Sequence, residues 1–177
     1  MHERLAEALA GACRALAELR DQGVVKAFGL ATKDLDIAAA FVERADVDCL
    51  MLPARYTLLD QSAAETLFPM CLARGVAVLA AAPFDSGILA TGAIDGATYD
   101  YQPAPVEIAS RVRTIEALCG RFQIPIAAAA LQFPLQHPAV TSVVTGMRST
   151  AEVRDNLELM RMPIPAAFWS ALAQEII

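Results

Sequence analysis

The chain has 177 residues, 56 % of them hydrophobic, and a formal net charge of −6. That length suits one domain with a sizeable core spanning residues 1–177. No apolar run reaches the roughly 18 residues of a membrane span, and an acidic chain without a basic stripe argues against nucleic acid or anionic membrane as partners. The four cysteines, Cys13, Cys49, Cys71 and Cys119, have no paired spacing. They therefore read as reduced thiols of a cytoplasmic protein, with no zinc or redox motif.

In chain order, the opening "RLAEALAGACRALAELRDQG" places apolar residues at helical spacing and stops at Gly23, a natural C-cap. It also carries acidic residues, which a signal peptide does not. "VVKAFGLA" reads as a short strand, and "DLDIAAAFVERA" as a helix capped by Asp34 or Asp36. A strand "DCLMLP", a helix "SAAETLFPMCLARG" closed by Gly75, and a strand "VAVLAAAP" follow. Residues 84–105 form a polar, glycine-bearing loop. Helices "VEIASRVRTIEALCGRF" and "IAAAALQFPLQH" lead to the last strand, "AVTSVVTG", and helices "TAEVRDNLELM" and "PAAFWSALAQEII" close the chain. Pro69 and Pro134 fall inside helical patterns, where a missing N–H and a ring clash kink or break the helix.

Strands alternating with helices imply right-handed βαβ units and a parallel sheet. Near-continuous apolar strands imply that both faces are covered. The reading has four strands, each followed by helix, and none before the first helix. Neither GxGxxG nor GxxxxGK is present. The expectation is an α/β chain that begins in mid-architecture.

The segments "GVVKAFGLATKD", "ARYTLLDQ", "CLARGVAVLAAAPFDSGIL" and "ALQFPLQHPAVTSVVTGMRSTAEVRDN" resemble, in order and spacing, the aldo-keto reductases. Within them, the likeness is to the branch of the D-threo-aldose, L-fucose (galactose) and pyridoxal 4-dehydrogenases. It runs over essentially the whole chain and implies the second half of a TIM (β/α)8 barrel: four parallel strands with their helices, plus an N-terminal and a C-terminal helix. The family's proton-transfer set of Asp, Tyr, Lys and His comes from the first four strands and maps to no residue here. His2 reads as a solvated terminal residue, Tyr56 as a packing residue beneath the cofactor site, and Tyr99 and Tyr101 as cover for that site.

The resemblance assigns the stretch after the last strand to the grip on the adenosine end of NADP or NAD. Gly146 and Met147 let backbone approach the ligand, and a helix opening near Ser149 or Thr150 presents free N–H groups. Arg148 offers a planar fork to a 2′-phosphate or a face to adenine, while Asp155 and Asn156 match the family's pair at the adenine edge. A plain strand-to-helix turn with a Ser or Thr cap uses the same residue types. The pyrophosphate maps to Pro83, Phe84, Ser86 and Gly87. Nearer the nicotinamide the chain departs from the family. Ala81 replaces a stacking aromatic, Ala31–Thr32 (or Lys33 in an alternative register) replaces a Ser-Asn pair, and Pro53 stands near the usual glutamine.

The implied function is an NAD(P)-dependent oxidoreductase of aldoses or aldehydes, represented by its cofactor-binding half and inactive alone. A small sugar or aldehyde substrate would bind only with the other half supplied. The alternative is a non-catalytic half-barrel that binds a dinucleotide or a partner. Open edges at "VVKAFGLA" and "AVTSVVTG" imply a homodimer or aggregation.

Overall fold

The computed structural model describes residues 2–176, apart from the side chains of His2 and Glu3. The reading of the His2 side chain therefore lies outside the described residues. Six strands are found among those residues: β1 (Gly29–Ala31), β2 (Cys49–Pro53), β3 (Ala77–Ala81), β4 (Thr98–Tyr99), β5 (Gln102–Pro103) and β6 (Val140–Val144). Four of them form one parallel sheet in the order β1-β2-β3-β6, and β4 and β5 pair antiparallel as a small hairpin. The expected α/β fold with a parallel sheet is present, and the hairpin is an addition to it. The helices are α1 (His2–Ala10), α2 (Ala12–Asp21), α3 (Leu35–Arg44), α4 (Ser62–Arg74), α5 (Ile88–Thr91), α6 (Val106–Arg121), α7 (Ile126–Gln132), α8 (Thr150–Arg161) and α9 (Ala166–Glu175).

Local chemistry explains most boundaries. Asp34 caps α3 by accepting from the Ile37 N–H at 3.0 Å, and Gly75 closes α4 in the left-handed conformation at φ 69°. Gly11 (φ −106°, ψ −83°) divides the expected single N-terminal helix into α1 and α2. Pro69 lies inside α4 without ending it, whereas Pro134 sits in a 3-10 segment, Phe133–Gln136, that succeeds α7. The strand expected from "VVKAFGLA" is only three residues long. A Cβ on Gly29 would lie 2.0 Å from the Cys49 carbonyl oxygen, so β1 can approach β2 this closely only with glycine there.

The loop expectation for residues 84–105 needs the largest correction. It contains a 3-10 turn at Asp85–Gly87, helix α5 and the β4–β5 hairpin. Ile88 and Leu89 are fully buried, so this segment is part of the core.

The core lies on one side of the sheet. Leu50 and Leu52 of β2 and Val78 and Ala80 of β3 are buried, while Cys49, Met51, Ala77 and Leu79, which alternate with them, are only half-buried. The buried row belongs to one apolar cluster with Leu67 and Phe68 of α4, Ile115 of α6 and Phe168 and Leu172 of α9. Each such side chain contributes about 2 kcal/mol from burial. Full cover on both faces, expected from the continuous apolar runs, is therefore not seen for the half-buried row. At the other end of the strands, the Arg20 guanidinium donates to Asp48 at 2.9 Å and lies over the Phe28 ring at 5.2 Å. Asp48 also accepts from the Phe28 N–H at 2.9 Å, which with Arg20 holds its carboxyl below the usual range. All four cysteines are free, and burial pushes the Cys71 and Cys119 thiols up to about 11.

Candidate functional site

Two adjoining hollows open where the sheet strands end. The first, about 260 Å³, is lined by residues that follow β1, β2 and β3 (Lys33, Ala54, Arg55, Ala82, Asp85, Ser86) and by Tyr99, Asp100 and Tyr101 of the hairpin. The second, about 750 Å³, runs from Phe84, Ser86 and Gly87 to Gly146, Met147, Arg148 and Asn156. Ala82, Asp85, Ser86 and Tyr101 belong to both, so the two are parts of one groove. Its combined volume reaches the upper part of the range of small-molecule sites, about 300–1,000 Å³.

The wall of the first hollow is strained. Ala54, Ala82, Asp85, Ser86, Asp100 and Tyr101 all have φ between 44° and 63°, and they are six of the seven such non-glycine residues among those described. Each left-handed residue of this kind costs about 1–2 kcal/mol, so their concentration in one place marks a site that the surrounding structure enforces. Asp100 and Tyr101 form the two-residue turn of the β4–β5 hairpin, a position where Asn-Gly relieves the same strain.

Side-chain bonds hold this wall together. Asp85 is only 3 % exposed. One of its oxygens accepts from the Thr57 hydroxyl at 2.5 Å, while Thr57 Oγ1 in turn accepts from the N–H groups of Leu59 and Asp60, each at 3.1 Å. Burial, opposed by the Thr57 bond, pushes the Asp85 carboxyl up to about 6. Arg55 donates to the Lys33 carbonyl at 2.8 Å and to Asp60 at 3.1 Å, which ties the segments after β1 and β2 together. The Lys33 ammonium pairs with Asp100 at 2.5 Å. Ser86 anchors the hairpin from below: its hydroxyl accepts from the Tyr101 N–H at 3.0 Å and its carbonyl accepts from Thr98 at 2.8 Å.

The far end of the groove is an ordinary strand-to-helix turn. Ser149 is the N-cap of α8 and accepts from the Glu152 N–H at 3.1 Å. The Glu152 carboxylate accepts from the Arg148 N–H at 2.7 Å, and its other oxygen lies 3.7 Å from Arg148 Nε. The Arg148 side chain is 93 % exposed. Gly87, at φ 108°, leads into α5, and a Cβ at Gly87 or Gly146 would meet no protein atom, so both backbones are open to a ligand.

Of the ten expected site residues, seven line the second hollow: Phe84, Ser86, Gly87, Gly146, Met147, Arg148 and Asn156. Pro83 is buried behind them, Ser149 is spent on the helix cap, and Asp155 is exposed outside the lining. Lys33 and Pro53 reach the first hollow. The Thr32 hydroxyl instead accepts from the Asp34 N–H at 3.0 Å, and Ala81 is a buried strand residue. Tyr56 is buried in an aromatic cluster, 5.0 Å from Phe133 and 4.9 Å from Phe68 between ring centroids. His137 packs into the same cluster, 4.7 Å from Phe68, with burial depressing its pKa. Tyr99 and Tyr101 line the first hollow. Asp85 and Glu152 were absent from the sequence reading. The spacing Ser149-x-x-Glu152 is a capping-box signal that could have found the second, while nothing local marks the first.

The sequence profile of the Aldo/keto reductase family matches residues 6–176. The pyridoxal 4-dehydrogenase of Microbacterium luteolum is 41 % identical over 165 residues, covering 93 % of this chain and 48 % of its own length. The D-threo-aldose 1-dehydrogenase of a Pseudomonas species is 41 % identical over 169 residues, covering 94 % of this chain and 51 % of its own. The chain thus spans about half the length of the curated relatives it matches. An aldo-keto reductase from Bacillus halodurans, in its holo form, superposes with a TM-score of 0.72 at 21 % identity, over 92 % of this chain and 54 % of that one. At that identity the likeness is one of fold alone. Among the described residues, no helix is long and apolar enough to cross a membrane.

Proposed function

The chain belongs to the aldo/keto reductase family, and we propose that it is the dinucleotide-gripping part of an NAD(P)-dependent oxidoreductase of aldoses or aldehydes. In this reading its sheet is four adjacent strands of an eight-stranded barrel, with the half-buried row of Met51 and Leu79 facing the barrel interior. The observation that carries the proposal is the second hollow, which gathers seven residues from two segments about 60 positions apart in sequence around one open groove. The groove fits a dinucleotide in kind: glycine backbone at Gly87 and Gly146, a helix N-terminus, an exposed guanidinium and an amide side chain at Asn156.

The residues have separable tasks. The open backbone at Ser86–Gly87 receives the pyrophosphate, and Asn156 reads the adenine edge. When bound, NAD(P) supplies the hydride chemistry. Hydride transfer also needs a group that moves a proton to or from the substrate oxygen. Among the described residues Lys33 and Tyr99 share a hollow, but His137 packs against the Tyr56 and Phe68 rings away from it, and no Tyr, Lys and His converge. We therefore expect the chain by itself to bind without turnover. A second reading, a dinucleotide-binding or interaction module with no chemistry of its own, is favoured by the nicotinamide end: Thr32 is spent on a local turn and Ala81 offers no ring.

The free thiols fit a reducing compartment such as the cytoplasm. Strands β1 and β6 each have one sheet partner among the described residues, so pairing of two copies, or aggregation, is the expected fate of the open edges. The test is a calorimetric titration of the purified chain with NAD+ and NADP+, alongside assays with L-fucose, D-arabinose and pyridoxal. Binding without turnover is the expected result. A folded chain that binds neither dinucleotide would overturn the grip, and turnover that survives loss of Arg148 and Asn156 would place the chemistry elsewhere.

A further inference from the structure

We infer that the chain carries a second binding site, remote from the groove, for a single-ring aromatic compound bearing a hydroxyl group. A hollow of about 270 Å³ lies between α4, α9 and the 3-10 segment that succeeds α7. It shares no lining residue with either part of the groove. Phe133, Trp169 and Leu172 give it apolar walls, and no charged residue lines it. An apolar cavity of about 150 Å³ already holds benzene, so one ring with a substituent fits here. A charged guest would lose its hydration with no counter-charge to meet it.

Two polar groups specify the hydroxyl. The Tyr56 ring is enclosed by Phe68, Phe133 and His137, and the residue is only 8 % exposed. Its own hydroxyl meets no hydrogen-bond partner among the described residues. Yet no side-chain nitrogen or oxygen sealed from solvent is unmatched among those residues, so this hydroxyl is not sealed. It is the tip that reaches the hollow Tyr56 lines. Burial raises its pKa, which keeps it an O–H able both to donate and to accept. Gln61 lines the same hollow. Its amide nitrogen donates to the Thr57 carbonyl at 2.5 Å, which leaves its amide oxygen as an acceptor.

One ligand hydroxyl answers both groups. Its oxygen accepts from Tyr56 and its proton goes to the Gln61 oxygen, while the ring lies among Phe133, Trp169 and Leu172. A methyl in the same place answers neither. The segment 55–61 thus has two sides. Arg55 and Thr57 hold the wall of the groove, whereas Tyr56 and Gln61 line the remote hollow. A ligand there rests against the back of that wall and leaves the groove free, so the site stands or falls independently of the dinucleotide reading.

The test uses the full chain and the emission of Trp169, its only tryptophan, which forms one wall of the hollow. Phenol and toluene are the probes, since they match in size and differ in one hydroxyl. Phenol should shift the emission saturably, with or without NAD+ present, and toluene should bind no tighter than phenol. Tyr56→Phe keeps the ring packing. It should weaken phenol roughly three- to tenfold, the scale of one hydrogen bond, and leave any toluene response within about twofold. Ala64→Leu adds bulk to the α4 wall of the hollow and should abolish the response to both probes. Urea midpoints of the two variants confirm that each is folded. An unsaturable response, displacement of phenol by NAD+, tighter binding of toluene, equal effects of Tyr56→Phe on both probes, or a response that survives Ala64→Leu would overturn the inference.

Discussion

The two ends of the groove are built on opposite principles. At the α8 end, a strand runs into a helix through neighbours in sequence: Ser149 accepts from the Glu152 N–H, and the Glu152 carboxylate accepts from the Arg148 N–H. At the hairpin end, segments far apart in sequence hold one another: Thr57 with Asp85, Lys33 with Asp100, Arg55 with the Lys33 carbonyl, Ser86 with Tyr101. The first end is relaxed backbone, and the second concentrates six left-handed non-glycine residues. Strain of that kind persists only where tertiary contacts outweigh it, so the hairpin end should be sensitive to single polar substitutions and the α8 end tolerant of them.

The largest expected effect is at the hairpin end. Thr57→Val removes the hydroxyl that donates to the buried Asp85 and accepts two backbone N–H groups. Leaving a buried carboxylate and two donors unmatched should cost about 3 kcal/mol in urea unfolding. A loss below about 1 kcal/mol would show that the hairpin end is not held as described.

The next effect is one of pH. Burial, opposed by Thr57, sets the folded Asp85 carboxyl at about 6 against an ordinary value of 3.8. Its protonated form therefore favours the folded state fully below pH 3.8, and that contribution is lost as the pH rises through about 6. Asp85→Asn does not titrate. Its stability relative to the wild type should grow by about 2–3 kcal/mol between pH 4 and pH 7, measured from urea midpoints. A flat difference over that window would remove Asp85 from the account.

The smallest effect belongs to the α8 end, where Ser149→Ala loses one cap bond and should cost about 1 kcal/mol. Hydrogen exchange should localise the loss to the first turn of α8, with no change in the hairpin. A larger or spreading effect would mean that the two ends are not independent.

This contrast also decides what could be read from the residues alone. The caps at Asp34, Gly75 and Ser149 and the apolar strands β2, β3 and β6 are local signals, and they appear where the periodicity and cap residues place them. The α8 turn was legible for the same reason, although the acid three residues after Ser149 was not given a role. The hairpin end was not legible. Neither "PARY" nor "YDYQ" carries the Asn or Gly that left-handed backbone prefers, and the partners of Thr57, Lys33 and Ser86 lie 28, 67 and 15 residues away. The segment 84–105 reads as a polar loop because three glycines, three aspartates and two prolines interrupt any apolar period, yet Ile88 and Leu89 anchor it in the core.

The most direct test of the grip is hydrogen–deuterium exchange of the wild-type chain with and without saturating NAD+. The account predicts slowed exchange at residues 84–87 and 146–156 together, with α4 unchanged. Slowed exchange at only one of those segments, protection confined to some other surface, or no change at saturating NAD+ would contradict it.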